Sequence, residues 1–450
     1  MSYKEEIEKV NNAGFFYKGY DIIALSQVFL FENKLGRYGW KVSQIIKKLS
    51  LDNLVRFWLY LINPKKEINL SSKEYVFVND VYNMSMVSNS RTLQKVFDKN
   101  KIIEVICDKR IYLDNDVYLY KYSNLLGAIF DIYKVTIIFF KKWNRMKEVA
   151  KLFNVNMIML LLNVWDSLFI INCVERFLNN TSNLKSVVLN SDVHKISRAF
   201  VFYCKKHKIK NYVLQHGAPV LDYGYLPIYT DKMFNWGKLS YDWFLEKGTD
   251  INKLQINGTP KMDSIALEKK SLENSLNSLK SLNYLNILLI MNPIGEELCE
   301  KFLQIIYDAI KDMDVNLKIK LHPSSEHYDH LPKLIFNDYS HEIYRLENTH
   351  DLIRKSDVVI STTSTVGTET IALYKPLVQI KLDEINTKLE YEDYDCCISV
   401  RNHIELLEIL KDKKQLYSKF SNYDKFISDF FYILDGKSSE RIKGVIQKVR

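Results

Sequence analysis

The 450-residue chain is 47% hydrophobic and 13% aromatic, a composition that supports buried cores in two or three domains and leaves little room for disorder. Its six cysteines (Cys107, Cys173, Cys204, Cys299, Cys396, Cys397) show no CxxC spacing, which argues against a zinc centre and for reduced, buried thiols of a cytosolic protein. The net charge of +9 is uneven: residues 1–150 carry 24 Lys and Arg against 16 Asp and Glu, and the remainder is close to neutral. Such asymmetry implies either a solvated basic surface or an anionic partner on that side, an acidic glycan or the inner membrane leaflet, and no nucleic-acid motif accompanies it.

Met1 leads into a charged, helix-prone stretch in place of a signal peptide. Residues 1–70 read as amphipathic helices, 45–62 among them, forming an extension of the first domain. The longest apolar runs are 125–140 and 157–171. Asp131 and Lys134 interrupt the first and Asp166 the second, so both fall short of the roughly 20 apolar residues of a bilayer span, and buried helices are expected.

Strands are expected at Tyr75–Asn79 and 102–107, with a helix at 91–98 between them and a long helix at Met157–Leu178. Ser186–Leu189 is the next strand. Ser191 and Asp192 supply N-cap chemistry for a helix to about 206, and the strand 211–214 ends on Gln215-His216-Gly217. A second βαβα series starts after about 271. Its strands are 285–291, ending in Asn292-Pro293-Ile294-Gly295, then 317–321, ending at His322-Pro323, then 358–360 and 377–380. These patterns imply two doubly wound α/β domains facing across a cleft, at 71–270 and 271–420, with helices at 421–450 returning to the first.

Three loops at strand ends carry the chemistry. Ser361-Thr362-Thr363-Ser364-Thr365 opens a helix whose first N–H groups and dipole suit a phosphate, and Glu369 in that helix suits a ribose diol or, more plainly, a capping box. Gly367 would let backbone approach closely. Proline aims His322 from its strand end, where an imidazole, with Lys320 on the same strand face, could meet a leaving phosphate. His216 is placed to act as a general base, with Asp192 as its orienting partner or as the base itself, or as an N-cap alone. Asn292 and Gly295 belong to the donor side and Gln215 and Gly217 to the acceptor side. GxGxxG, P-loop, HExxH and GxSxG signatures are absent, and no metal or cofactor is indicated.

The ordered strings QHG, GTP, KLHP and SDVVISTTSTVGTETIALYKPLV resemble those of bacterial surface-polysaccharide glycosyltransferases of the GT-B fold. The resemblance is to the group containing capsule biosynthesis transferases, polysialyltransferases and CDP-glycerol glycerophosphotransferases. It covers about 186–380, with a weaker echo in Ile433-Leu434-Asp435-Gly436. It implies two Rossmann-like domains and an inverting, metal-independent transfer from a nucleotide-sugar donor, CMP-linked by preference, to a glycan or lipid-linked acceptor. His322, Pro323 and Ser361 to Thr365 would then hold the donor phosphate, Glu369 the ribose, and His216 would be the base. The loop here reads QHGAPV and departs from the tryptophan-histidine-glycine-threonine string of the glycerophosphotransferases. Polyol-phosphate transfer from a CDP-alcohol, nucleotide-sugar 2-epimerisation and a non-catalytic glycan- or membrane-binding subunit are the alternatives. The implied location is cytoplasmic, peripheral to the inner face of the cell membrane.

Overall fold

The computed structural model describes residues 3–34, 70–80, 84–107, 116–122, 125–219, 222–266, 285–322, 328–362, 364–385, 391–418 and 420–448. The expected helix at 45–62, together with Pro323 and Thr363, lies outside the described residues. The chain forms two compact units, one of Met1–Asn235, Trp243–Lys261 and Ser439–Arg450, the other of Trp236–Asp242 and Met262–Ser438.

Each unit is built on one wholly parallel sheet. In the first, β1 (Tyr75–Asn79), β2 (Ile102–Ile106), β3 (Val117–Tyr118), β4 (Ser186–Leu189), β5 (Lys210–Leu214), β6 (Lys232–Asn235) and β7 (Leu254–Ile256) lie in the order 3-2-1-4-5-6-7. In the second, β8 (Leu285–Ile290), β9 (Val315–Lys320), β10 (His341–Tyr344), β11 (Val358–Ser361), β12 (Leu377–Ile380) and β13 (Ile398–Val400) lie in the order 10-9-8-11-12-13. Strand order therefore reverses beside β1 and beside β8. At such a switch point the connecting chains diverge, and the carboxyl ends of β1 and β4, or of β8 and β11, leave room for a ligand.

The central strands are continuous apolar runs because helices cover both faces of a parallel sheet. Every residue of β1, β4, β11 and β12 is buried. The helices that matter below are α1 (Leu125–Lys141), α2 (Trp143–Leu152), α3 (Met157–Leu178), α4 (Lys195–His207), α5 (Glu296–Ile310), α6 (Thr349–Arg354), α7 (Thr365–Ala372) and α8 (Ser438–Lys448). Ile442 and Ile446 of α8 pack among Tyr75, Phe77, Leu214 and Phe234 in the core of the first unit, and Arg441 donates to the carbonyl of Asn257 at 3.0 Å.

Four sequence expectations are corrected. The helix near 91–98 spans Met84–Gln94. Helix α4 begins at Lys195 with His194 at the N-cap, so neither Ser191 nor Asp192 caps it. Helix α1 is not fully buried: Val135 and Phe139 face inward while Ile129, Phe130, Tyr133, Ile137 and Phe140 face solvent. The expectation that the run at 157–171 falls short of a bilayer span is also corrected: it belongs to α3, which is long and apolar enough to cross a membrane by length and composition, and which is tied into the unit by Asp166 to Lys195 (2.5 Å) and by Glu175 to Lys206 (3.1 Å) and Tyr20 (3.0 Å).

The amino-terminal region is helical (Tyr3–Asn12, Ile22–Leu25, Gln27–Lys34) around a two-residue hairpin, and Arg198 of α4 secures it. This fully buried guanidinium donates to Ala24 O at 2.6 Å, Gln27 Oε1 at 2.7 Å and Asp192 O at 3.2 Å, and lies 4.4 Å from the Tyr229 ring centroid. Removing it would leave those acceptors and the buried Asp192 carboxylate uncompensated. Arg198→Ala is expected to lower the unfolding free energy by about 3–5 kcal/mol in urea titration.

Candidate functional site

In the second unit the switch point is bridged by Asn292. Its Nδ2 donates to Thr362 Oγ1 at 2.6 Å and to Ser361 Oγ at 3.3 Å, and the Ser361 hydroxyl in turn donates to Ile290 O at 3.0 Å. The hydroxyl run thus divides by position. Ser361 and Thr362 are buried and hold β8 to β11, Ser364 caps α7 by accepting from Val366 N at 3.4 Å, and Thr365 stands half-buried as the first helical residue. Gly295 has φ 103°, a backbone suited to glycine, and starts α5; Glu296 and Glu297 already answer the positive end of that helix.

His322 follows β9, the neighbour of β8 on the other side, with Ile290 in register with both Lys320 and Ser361. The imidazole is half-buried. Burial, with Lys320 and Arg345 alongside, holds its pKa below the ordinary histidine value, so the free site carries a neutral ring in a basic setting. Arg345 Nη1 donates to His322 O at 3.3 Å, and the buried Lys320 ammonium donates to Arg345 O. An arriving phosphate would find the Lys320 ammonium, an Arg345 guanidinium already ion-paired with Asp329, and an imidazole that gains basicity as the anion binds.

Glu369 is placed differently from the sequence expectation. It is the fifth residue of α7, past the first turn, while Gly367 occupies the capping-box position, so the capping-box reading is excluded. Its buried carboxylate meets His350 Nε2 of α6 at 2.9 Å. Gly367 serves the protein's own packing: a Cβ there would lie 2.5 Å from Tyr391 Cε2, and the Tyr391 hydroxyl donates to Ser364 O at 2.6 Å.

In the first unit, His216 follows β5 half-buried, its ring stacked on Tyr225 at 4.4 Å and 1°. Burial, with His194 and Lys261 nearby, pushes its pKa down to about 3. It is neutral near pH 7, and its Nδ1 is buried without a hydrogen-bond partner. Gln215 Nε2 donates to Gly217 O at 2.8 Å and so shapes the turn that presents the ring. Asp192 is turned inward: Oδ2 accepts from Tyr229 N at 2.7 Å, Thr230 N at 3.0 Å and Thr230 Oγ1 at 3.3 Å, an anchor for the segment before β6.

Sequence reasoning missed Asp80, immediately after β1. Oδ2 accepts from Ser197 Oγ at 2.7 Å and from Ser197 N at 3.3 Å, while Oδ1 is buried without a partner. Asn190 Oδ1, His216 Nδ1, Asn257 Oδ1 and both side-chain polar atoms of Asn235 are likewise unpartnered, each at or just past the carboxyl end of a strand. A buried polar atom without a partner costs about 1–3 kcal/mol, so such a row on one sheet edge calls for ordered water or a bound ligand to satisfy it. His194, His350 and Arg345 were missed as well. Only the acid directly after a legible strand offered a sequence signal. Among the described residues no group of three His, Cys, Asp or Glu is placed to hold a metal ion.

Each of the two units is a parallel-sheet α/β domain, the first with a helical amino-terminal region, and the fold is of the GT-B type. The wall teichoic acid polymerase TagF matches with a TM-score of 0.51 at 16% identity, over 91% of this chain and 98% of that one. UDP-GlcNAc 2-epimerase from Neisseria meningitidis, bound to UDP-GlcNAc, matches with a TM-score of 0.52 at 14% identity, over 83% of this chain and 100% of that one. In sequence, 143 residues are 28% identical to the teichoic acid poly(ribitol-phosphate) polymerase of Bacillus spizizenii, spanning 30% of this chain and only 22% of that protein. No family model matches.

Two measurements check the geometry. Binding of a nucleoside diphosphate should draw a proton onto His322, because the anion raises a pKa that the free site holds low. The binding enthalpy should then vary with the ionisation enthalpy of the buffer beyond the contribution of the phosphate's own titration, and that excess should vanish in His322→Gln. Gly367→Ala should cost about 1–3 kcal/mol in thermal or urea unfolding, since the buried Tyr391 ring must move.

Proposed function

We propose that this chain is a nucleotide-donor-dependent transferase of the glycosyltransferase type, acting in the biosynthesis of a cell-surface glycan. The observation that carries the reading is the carboxyl edge of the second sheet, where His322, Lys320 and Arg345 stand beside the hydroxyl-rich start of α7, with Glu369 and His350 behind it. A diphosphate meets the cations and the helix start, and Glu369, oriented by His350, accepts from a ribose diol. When the bond to the donor breaks, charge builds on the departing phosphate, and the imidazole of His322 answers it by donating an N–H or a proton.

The acceptor side is assigned to the first sheet's edge. A neutral His216 has a lone pair for the acceptor hydroxyl proton, and it acts as base once the bound substrate raises its pKa from the low value that burial sets in the free site. Asp80, with one oxygen fixed by Ser197 and the other unpartnered, is the second candidate for that proton. Asp192 keeps the role of positioning the Tyr229-Thr230 segment.

Two donor classes fit this edge, a nucleotide sugar of the CMP-linked kind and a CDP-linked polyol. The partial match to a poly(ribitol-phosphate) polymerase and the fold likeness to TagF, one of whose structures was soaked with CDPG, support the polyol. The likeness to 2-epimerases supports the fold as much as the chemistry and stands behind transfer.

A nucleotide panel read by thermal shift tests the site. A cytidine nucleotide at a hundredfold excess over Kd should add about 2.7 kcal/mol of stability, and the gain should vanish in His322→Ala and Glu369→Ala. Product analysis then separates the chemistries: phosphorus incorporated into polymer indicates polyol-phosphate transfer, a new glycosidic bond indicates glycosyl transfer, and donor conversion without any acceptor indicates epimerisation. A protein stabilised by no nucleotide would sink the proposal.

A further inference from the structure

Helix α1 breaks the pattern of a surface helix, which is apolar on one face and polar on the other. Its inner stripe of Asp131, Val135 and Phe139 is buried, and Asp131 pairs with Lys18 at 2.7 Å and accepts from Tyr17 at 2.8 Å. The outer stripe is apolar too. Ile129, Phe130, Tyr133, Ile137 and Phe140, with Trp143 at the start of α2, are each between 39% and 65% exposed. They recur every three or four residues, so they lie on one face, and Phe140 and Trp143 stack at 5.6 Å and 10° into a flat aromatic edge. Single exposed apolar residues are ordinary, but six large ones in a continuous stripe are not.

The charges around the stripe identify what covers it. Lys134, Lys141, Arg145, Lys147 and Lys151 of α1 and α2 are exposed, and Lys134 Nζ sits 4.2 Å from the Phe130 ring centroid. Over residues 125–152 the one exposed acid among the described residues is Glu148. Aromatic and branched side chains in a helical row, rimmed by cations on long stems and nearly free of acids, match the interface of an anionic bilayer. There the rings enter the headgroup boundary while Lys and Arg reach the phosphates. A second copy of the chain fits poorly, because a twofold contact through this stripe would set one rim of cations against another.

We infer that the outer face of α1 and the start of α2 form a docking surface for an anionic phospholipid bilayer. The face holds the first unit parallel to the membrane surface without crossing it, with Asp131 locked inward to Lys18 and Tyr17. This inference goes beyond the reading of the donor edge and does not need it, since lipid binding is read without turnover.

The test is co-sedimentation of the full chain with vesicles of phosphatidylcholine, with and without phosphatidylglycerol, at low and high salt. The protein should pellet with the anionic vesicles and less so in salt. Partitioning should fall roughly tenfold or more in Phe130→Ser/Ile137→Ser/Phe140→Ser and in Lys134→Gln/Lys141→Gln/Arg145→Gln. Folding of the variants is checked by their thermal transitions. All six native cysteines are buried, so a polarity-sensitive dye on Tyr133→Cys reports the face directly and should shift to the blue with anionic vesicles, while the same dye on Lys311→Cys should not. Failure to pellet, equal pelleting of the apolar variant, equal binding to neutral vesicles, or a dye at residue 133 that does not respond would each overturn the assignment. So would a wild-type dimer in light scattering that the apolar variant converts to monomer, since the face would then belong to a second copy.

Discussion

The first unit depends on one buried charge. Arg198 has no access to solvent, its Nε and Nη1 donate to protein while Nη2 is left unpartnered, and its contacts come from separate parts of the chain: Ala24 and Gln27 of the amino-terminal helices, Asp192 after β4, and the face of Tyr229 before β6. Asp192 extends the network by accepting from Tyr229 and Thr230. A buried ion cluster of this kind is a weak source of net stability, because desolvation offsets most of the attraction, but it is intolerant of rearrangement. It fixes the loop behind His216 and the amino-terminal helices with a single set of directed bonds, and it uses the carboxylate that the sequence alone offers as a catalytic base.

What was legible in the sequence follows from where each element sits in its sheet. Tyr75–Asn79, Ser186–Leu189 and Leu377–Ile380 are interior strands covered on both faces, so they are apolar without interruption and visible as such. The four strands at the sheet edges (Val117–Tyr118, Leu254–Ile256, His341–Tyr344 and Ile398–Val400) went unseen, being two to four residues long and in part solvent-facing. Interior Lys232–Asn235 was missed because it opens on a lysine inside a loop-rich stretch. Helix α1 was misjudged for a different reason: composition reports how apolar a segment is, and not whether protein covers it.

The site divides in the same way. His216, His322, Ser361 and Thr362 fall at strand ends because a legible strand announces its own end. Their partners do not. His350 lies nineteen residues before Glu369 and is brought to it by the packing of α6 on α7, and Arg345 reaches His322 from the end of the edge strand β10. Tertiary partners of this sort leave no local pattern. The carboxylate of Asp80 was the one missed group with a local signal, an acid directly following a clear strand.

The notch at Gly367 has a consequence for variation in this protein. Tyr391 fills the space where a Cβ would be and also holds the carbonyl of the residue that caps α7, although it lies 27 positions from that cap. Residues 367 and 391 are therefore size-complementary halves of one latch. A larger group at 367 calls for a smaller ring at 391, and the two sites should show epistasis, each harmful alone and partly corrective together.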